Sequence, residues 1–305
     1  MSALSEIAAA TRRAHDRAAP GTVSIGRDPR GTGIVVGANR VLTSAHNLRD
    51  RTTEVGFADG TRHQGAVVGV DADHDVVVLD VPTGDVAALP WRDQPLGPGD
   101  AVFAVGRGRG GTRVTPGFVS GVDRTFRGPR GRRVQGAVEH TAPLARGSSG
   151  GPLVDGDGRL AGINTHRLGD GFYLALPTDT DLRGRVDALL EGRSPRSRVL
   201  GVVIVPGPKA ARARRRVGLP DLDGLLVHDV VPGTPAAAAG IAEGDLITAV
   251  GGATVATVDQ LWDALDAAGA GVQDRGDDLT IEVTLVRGTD ERVVAVRLDA
   301  ETDAP

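Results

Sequence analysis

The residues with the clearest chemical potential are in Gly147-Ser148-Ser149-Gly150-Gly151, where a serine stands between glycines. A serine hydroxyl is a weak nucleophile: it needs an imidazole to take its proton and fixed N–H donors to hold the oxyanion that forms. Gly-Ser runs are also common in flexible linkers, so the pentapeptide alone leaves both readings open. Its setting favours chemistry. Val154 and Leu160-Ala161-Gly162-Ile163 flank a tight Asp155-Gly156-Asp157-Gly158 turn, which places the glycines beside a β-hairpin. A base is available upstream. Of the seven histidines, His46 ends Thr43-Ser44-Ala45-His46 just past the apolar run Arg40-Val41-Leu42, where a strand end can fix a side chain without burying it. The segment Asp71-Ala72-Asp73-His74-Asp75 precedes the buried-strand pattern Val76-Val77-Val78-Leu79. An aspartate at the mouth of such a strand can hydrogen-bond the far nitrogen of an imidazole and fix its tautomer, and Asp71, Asp73 and Asp80 compete with Asp75 for that part.

The elements that must carry these groups are mostly short strands. Residues 3–17 are alanine-rich and predict a leading helix within an N-terminal helical segment, 1–21. From Thr22 onward, strands recur about every ten residues with Gly, Pro and Asp at the breaks, the signature of a sandwich or barrel. The segment Asp179 to Glu191 predicts a helix that closes this half, giving a first domain at 22–191. Residues 192–197 have the composition of a linker, and a second domain follows at 198–299 with a polar tail at 300–305. Its pattern predicts five strands and two helices, Pro235 to Ala239 and Val258 to Ala268.

The order His46, Asp75, Ser149 is the chain order of the chymotrypsin arrangement. Together with Gly31-Thr32-Gly33-Ile34-Val35-Val36, Leu42-Thr43-Ser44-Ala45-His46, His74-Asp75-Val76-Val77-Val78-Leu79, Gly147 to Leu153 and Gly162-Ile163-Asn164-Thr165, it resembles the trypsin-like HtrA/Deg serine proteases. The resemblance implies a mainly β chain, a trypsin-like double β-barrel followed by a PDZ domain. It makes His46 the general base, Asp75 its orienting carboxylate and Ser149 the nucleophile, with the Gly147 and Ser149 amides as oxyanion hole. Gly147 suits that part physically, having no side chain to obstruct a carbonyl and free choice of φ. In such a fold the residue about six positions before the nucleophile lines the base of the specificity pocket, here Pro143. No acid lies in His140 to Ala145, so cleavage after small or medium apolar residues is expected.

Residues 198–298 resemble an HtrA-type PDZ domain, carried by Leu200-Gly201-Val202-Val203, Val230-Val231-Pro232-Gly233-Thr234-Pro235-Ala236 and Gly244-Asp245-Leu246-Ile247. Leu200, Gly201 and Val202 stand where a peptide carboxylate is bound, and the helix with Leu261 flanks the groove. The implied ligand is a C-terminal peptide with an apolar end, added as a strand. The implied activity is endoproteolysis of unfolded or damaged proteins, with a catalytically silent peptide-binding adaptor or holdase as the rival.

Composition narrows the rest. The 305 residues are 40% hydrophobic but only 3% aromatic, so two cores must be built from Val, Leu, Ile and Ala. With no cysteine, disulfides and thiolate zinc sites are excluded. No cofactor or metal is expected. A net charge of −4 calls for no nucleic acid, and the cluster Arg212, Arg214, Arg215, Arg216 reads as a solvated linker face. Met1 to Pro20 lacks a signal-peptide core, and no stretch reaches about 20 apolar residues, so a cytoplasmic protein without a membrane span is expected. A homotrimer is compatible with the resemblance.

Overall fold

In the computed structural model, residues 2–129, 131–195, 199–205, 207–269 and 279–298 are described. The expected tail, 300–305, and residues 196–197 of the expected linker lie outside them. The chain divides into two units, Met1–Pro195 and Arg196–Thr302.

The first unit opens with α1, Ala3–Ala18, capped by the Ser2 hydroxyl, which accepts from Ser5 N. Its Ala14 and Ala18 are fully buried, and Arg13 and Arg17 donate to the carbonyls of Gly156 and Asp157. The helix is therefore tied to the turn that leads away from the nucleophile loop. Six strands then close a barrel: β1 Thr22–Ile25, β2 Gly31–Gly37, β3 Arg40–Thr43, β4 Thr52–Gly56, β5 Arg62–Asp71 and β6 Val76–Asp80, ordered β1-β2-β3-β6-β5-β4 with β4 pairing back to β1. Val76, Val77, Val78 and Leu79 are all fully buried, as a continuous apolar run requires.

Six further strands close a second barrel: β7 Ala101–Gly108, β8 Gly111–Arg127, β9 Arg133–His140, β10 Pro152–Val154, β11 Leu160–Gly169 and β12 Phe172–Pro177, ordered β10-β11-β12-β9-β8-β7. Closing both sheets leaves neither with a free edge. The β10–β11 hairpin turns at Asp155, whose N–H and carbonyl bond Arg159 O and Gly158 N. Helix α2, Thr180–Leu190, starts where Asp179 accepts from Leu182 N, and it buries Leu182, Val186 and Leu189 against β5 and β6.

The second unit is one sheet ordered β13 Val202–Val205, β14 Leu225–Val230, β15 Leu246–Val250, β17 Leu279–Arg287 and β18 Asp290–Leu298, with β16, Ala253–Thr254, beside β15. Helices α4, Pro235–Ala238, and α5, Val258–Gly269, fall where the sequence predicts them. A third helix, α3, Gly207–Arg216, corrects the reading of the arginine cluster. Arg214 is only 2% exposed, and its guanidinium donates to the carbonyls of Pro220 and Gly288. Its role is to satisfy loop carbonyls inside the fold, and only its neighbours face solvent.

Candidate active site

His46 lies in a single 3-10 turn, Ala45–Asn47, immediately after β3. Its Nδ1 lies 2.7 Å from Oδ2 of Asp75, and its backbone N–H donates to Oδ1 of the same carboxylate at 3.0 Å. Asp75 is 1% exposed and has φ +59°, a left-handed conformation that Asp adopts more readily than most residues. Two hydrogen bonds to one buried carboxylate fix the ring in place and keep its other nitrogen, Nε2, as the acceptor. The hydrogen bond to Asp75 raises the His46 pKa above the ordinary imidazole value; burial works against it, and the Asp75 charge adds to the rise.

The three rival aspartates are committed elsewhere. Asp71 is 2% exposed and receives His74 and Arg185. Burial alone would raise its pKa, but those two partners hold it below the usual carboxylate range. Asp73 pairs with Arg132 and Asp80 with Arg40.

The loop that carries Ser149 is pinned from several sides. The Ser149 carbonyl accepts from Thr32 N at 2.9 Å and from Asn47 Nδ2 at 2.8 Å. The Gly147 carbonyl accepts from Thr32 Oγ1 at 2.7 Å, while Gly150 N donates to Asn164 O at 2.7 Å and Asn164 N returns a bond to Gly151 O at 2.8 Å. Gly147 and Gly150 have φ of +83° and +81°, where a side chain is strained. Among the described residues, neither Gly147 N–H nor Ser149 N–H has an acceptor. Two uncommitted amides beside a nucleophile are what an oxyanion requires. The Ser149 hydroxyl donates to the Thr165 carbonyl at 3.1 Å, so a rotation about χ1 must turn it toward His46 before proton transfer. Thr165 also reaches the triad from behind, its Oγ1 lying 3.4 Å from Asp75 Oδ2.

Thr32, Asn47 and Thr165 are the site residues that sequence reasoning missed. Thr32 and Thr165 lie within motifs that carry the family resemblance, but nothing local signals a partner about a hundred residues away. The specificity pocket also needs correction. The hollow beside Ser149, about 450 Å³, is lined by Leu144, Ala145, Arg146, Thr165, His166, Arg167 and Tyr173 together with Gly147 to Ser149. Pro143 is not in that lining. Its carbonyl is held by Thr115 Oγ1 at 2.6 Å, and the residue lines a different cavity behind the loop. Arg167 instead crosses the hollow, donating to the Leu144 carbonyl with its guanidinium 5.4 Å from the Tyr173 ring centroid. Below Tyr173, His140 stacks at 5.8 Å; it is fully buried, and desolvation lowers its pKa to about 4, so it is neutral at ordinary pH.

In the second unit, Gly201 has φ +81° at the entry to β13, and a Cβ there would lie 2.2 Å from Thr234 Cβ. The carbonyls of Leu200 and Gly201 are taken by Ala236 N and Val231 N, and Gly201 N–H has no acceptor among the described residues. Val202 opens β13, which stands at the edge of the sheet. Leu200 and Leu261 share one core with Val202 against it; at 3% and 6% exposure, the two leucines offer the groove little surface.

The trypsin-like peptidase family model matches residues 31–163, and the PDZ family model matches 226–272. Protease Do-like 1, chloroplastic, of Arabidopsis thaliana is 31% identical over 285 residues, covering 86% of this chain and 62% of that protein. HhoB of Synechocystis sp. is 31% identical over 288 residues, covering 88% of this chain and 67% of the relative. This chain belongs to the HtrA/Deg family of serine proteases. The serine endoprotease of Yersinia pestis, a solved structure, matches this HtrA-family chain with a TM-score of 0.58 at 25% identity, over 95% of this chain and 98% of that one. The chain thus spans about two thirds or less of the length of these two curated relatives, while covering almost all of the solved neighbour. In this HtrA/Deg chain the geometry joins His46 to Asp75 and leaves the Ser149 hydroxyl on the Thr165 carbonyl.

Proposed function

We propose that the chain is a serine endopeptidase that cleaves exposed segments of unfolded or damaged proteins and recognises C-terminal peptides at its PDZ unit. The observation that carries the reading is the 2.7 Å bond between His46 Nδ1 and buried Asp75, together with a loop in which the amides of Gly147 and of Ser149 itself have no acceptor among the described residues. His46 Nε2 takes the proton as Ser149 Oγ attacks the scissile carbonyl, and Gly147 N–H and Ser149 N–H hold the oxyanion. The imidazolium then protonates the leaving amine, and water repeats the cycle on the acyl-enzyme.

The lining of the hollow supports cleavage after small or medium apolar side chains. Leu144, Ala145 and Tyr173 supply apolar walls, Arg167 limits depth, and two arginines with no acid oppose a basic residue. At the PDZ unit, the edge of β13 and the free Gly201 N–H support strand addition by a peptide.

Purified protein is expected to degrade unfolded casein and to be labelled at Ser149 by a fluorophosphonate, with both signals abolished in Ser149→Ala. Equal, absent signals from both proteins would favour the adaptor. Peptides ending in a free carboxylate should bind the PDZ unit at least about tenfold more tightly than their amides, the scale of one charge-assisted hydrogen bond. Equal affinities in a calorimetric titration would exclude carboxylate recognition.

A further inference from the structure

A larger cavity, about 620 Å³, lies on the other side of the same loop. Its lining and that of the substrate hollow share Leu144 to Ser148, so one short segment walls both. The lining holds Arg107, Arg109, Arg113 and Arg146 against a single acid, Asp28. Asp59, outside the lining, faces Arg107, so the four cations are opposed by two anions and two positive charges remain. Arg109 pairs with Asp28, and Arg107 is spent on Thr112 Oγ1 and the Phe57 carbonyl at 2.8 Å each. Among the described residues, Arg113 and Arg146 have no hydrogen bond or ion pair, and neither does the hydroxyl of Ser148, a residue only 6% exposed.

Unpaired arginines held around a concavity focus a positive potential, and the planar guanidinium fork matches the oxygens of phosphate or carboxylate. Gly108, Gly110 and Gly111 leave open space where side chains would stand, so a ligand can approach their backbone. Two uncompensated charges, those of Arg113 and Arg146, exceed what one carboxylate can neutralise. The volume exceeds one phosphate too, amounting to about twenty waters at roughly 30 Å³ each.

We propose that this cavity binds a short chain of phosphates, free or carried by a nucleotide, and that its occupancy orders the turn presenting the Gly147 amide. Arg146 and Ser148 flank Gly147 on both sides, so a ligand engaging them fixes the peptide units on which the oxyanion donor depends. The regulatory half rests on the proposed role of Gly147; the binding half does not.

The test uses the full chain as Ser149→Ala, titrated with tripolyphosphate, ATP and orthophosphate at matched ionic strength. Calorimetry reads binding and the Gly147 amide resonance reads the loop. Tripolyphosphate is expected to bind and to shift that resonance, with affinity falling at least about tenfold in Arg109→Gln/Arg113→Gln, since each charge-assisted contact is worth roughly that much. ATP binding comparably would assign the nucleotide source, and ATP binding far more weakly the free chain. In active protein, tripolyphosphate should raise fluorophosphonate labelling at least threefold, an effect absent from the double variant. No binding at millimolar ligand, binding unaffected in the double variant, preference for a glutamate-rich peptide, or binding without a Gly147 shift would each overturn the proposal. Binding and the shift without labelling in active protein would instead overturn the proposed protease activity and leave the site standing.

Discussion

Asp75→Asn is expected to lower kcat/KM about ten-thousandfold while leaving the fold in place. The carboxylate accepts from both His46 Nδ1 and His46 N, so it holds the ring by two bonds and selects the tautomer with Nε2 free. An asparagine can present its NH2 to the ring, which then carries its proton on Nε2 and cannot take one from Ser149. Asparagine is also the right probe for the backbone: φ +59° suits Asn nearly as well as Asp, whereas alanine would add strain unrelated to the chemistry. The pH profile gives a second readout. His46 must be neutral to act as a base, so wild-type activity falls as pH drops through its raised pKa, above the ordinary value of about 6.5. The first cause of that rise is the hydrogen bond to Asp75, and removing it moves the acid limb of the residual activity to lower pH. A variant retaining more than about a tenth of the activity would contradict the assignment, because mispositioning or a wrong tautomer costs at least two orders of magnitude.

Gly150→Ala is expected to be the most destabilising single-methyl change in the nucleophile loop, by at least about 3 kcal/mol. Two effects add. At φ +81° an L side chain is strained, and its Cβ would stand 2.3 Å from Thr43 Oγ1, 2.4 Å from Thr32 O and 2.6 Å from Ser44 N. Two of those atoms are backbone of the first barrel and cannot rotate away. Thr43 Oγ1 in turn donates to Thr32 O and accepts from Asn47 Nδ2, so displacing it loosens the clamp on the Ser149 carbonyl. The thermal transition of the first unit should fall by about 6 °C or more, at roughly 2–4 °C per kcal/mol for a domain of this size, with loss of fluorophosphonate labelling. Gly147→Ala is the control. Its φ is similar, but the nearest atom to its Cβ is Pro29 O at 3.4 Å, so it bears the strain without the collision and should lower the transition by less. Equal shifts in the two variants would mean that the contact with the first barrel is not what fixes Gly150.

The sequence made the proposed catalytic trio legible because each member announces itself locally. His46 follows an apolar strand, Asp75 opens another, and Ser149 lies among glycines that only a sharp turn requires. The choice of Asp75 over Asp71, Asp73 and Asp80 rested on family resemblance, and the structure supplies the physical reason: each rival already has a cation of its own. The pocket lining was not legible in the same way. Counting six residues back from the nucleophile reached Pro143, but which face of that segment borders Ser149 depends on Thr115 holding the Pro143 carbonyl and Arg167 holding that of Leu144.

Patterning along the chain determined the mainly β character, the two-unit division and the candidates for the reacting groups, since apolar periodicity, turn residues and motif spacing are properties of neighbouring residues. Tertiary structure alone decided what surrounds those groups. Asn47 reaches a carbonyl 102 positions away, Thr32 Oγ1 one 115 away, and buried Arg214 one 74 away. The reason is physical: barrel closure brings together loops whose separation in sequence carries no local signal, and a hydrogen bond depends on distance and angle, not on residue order.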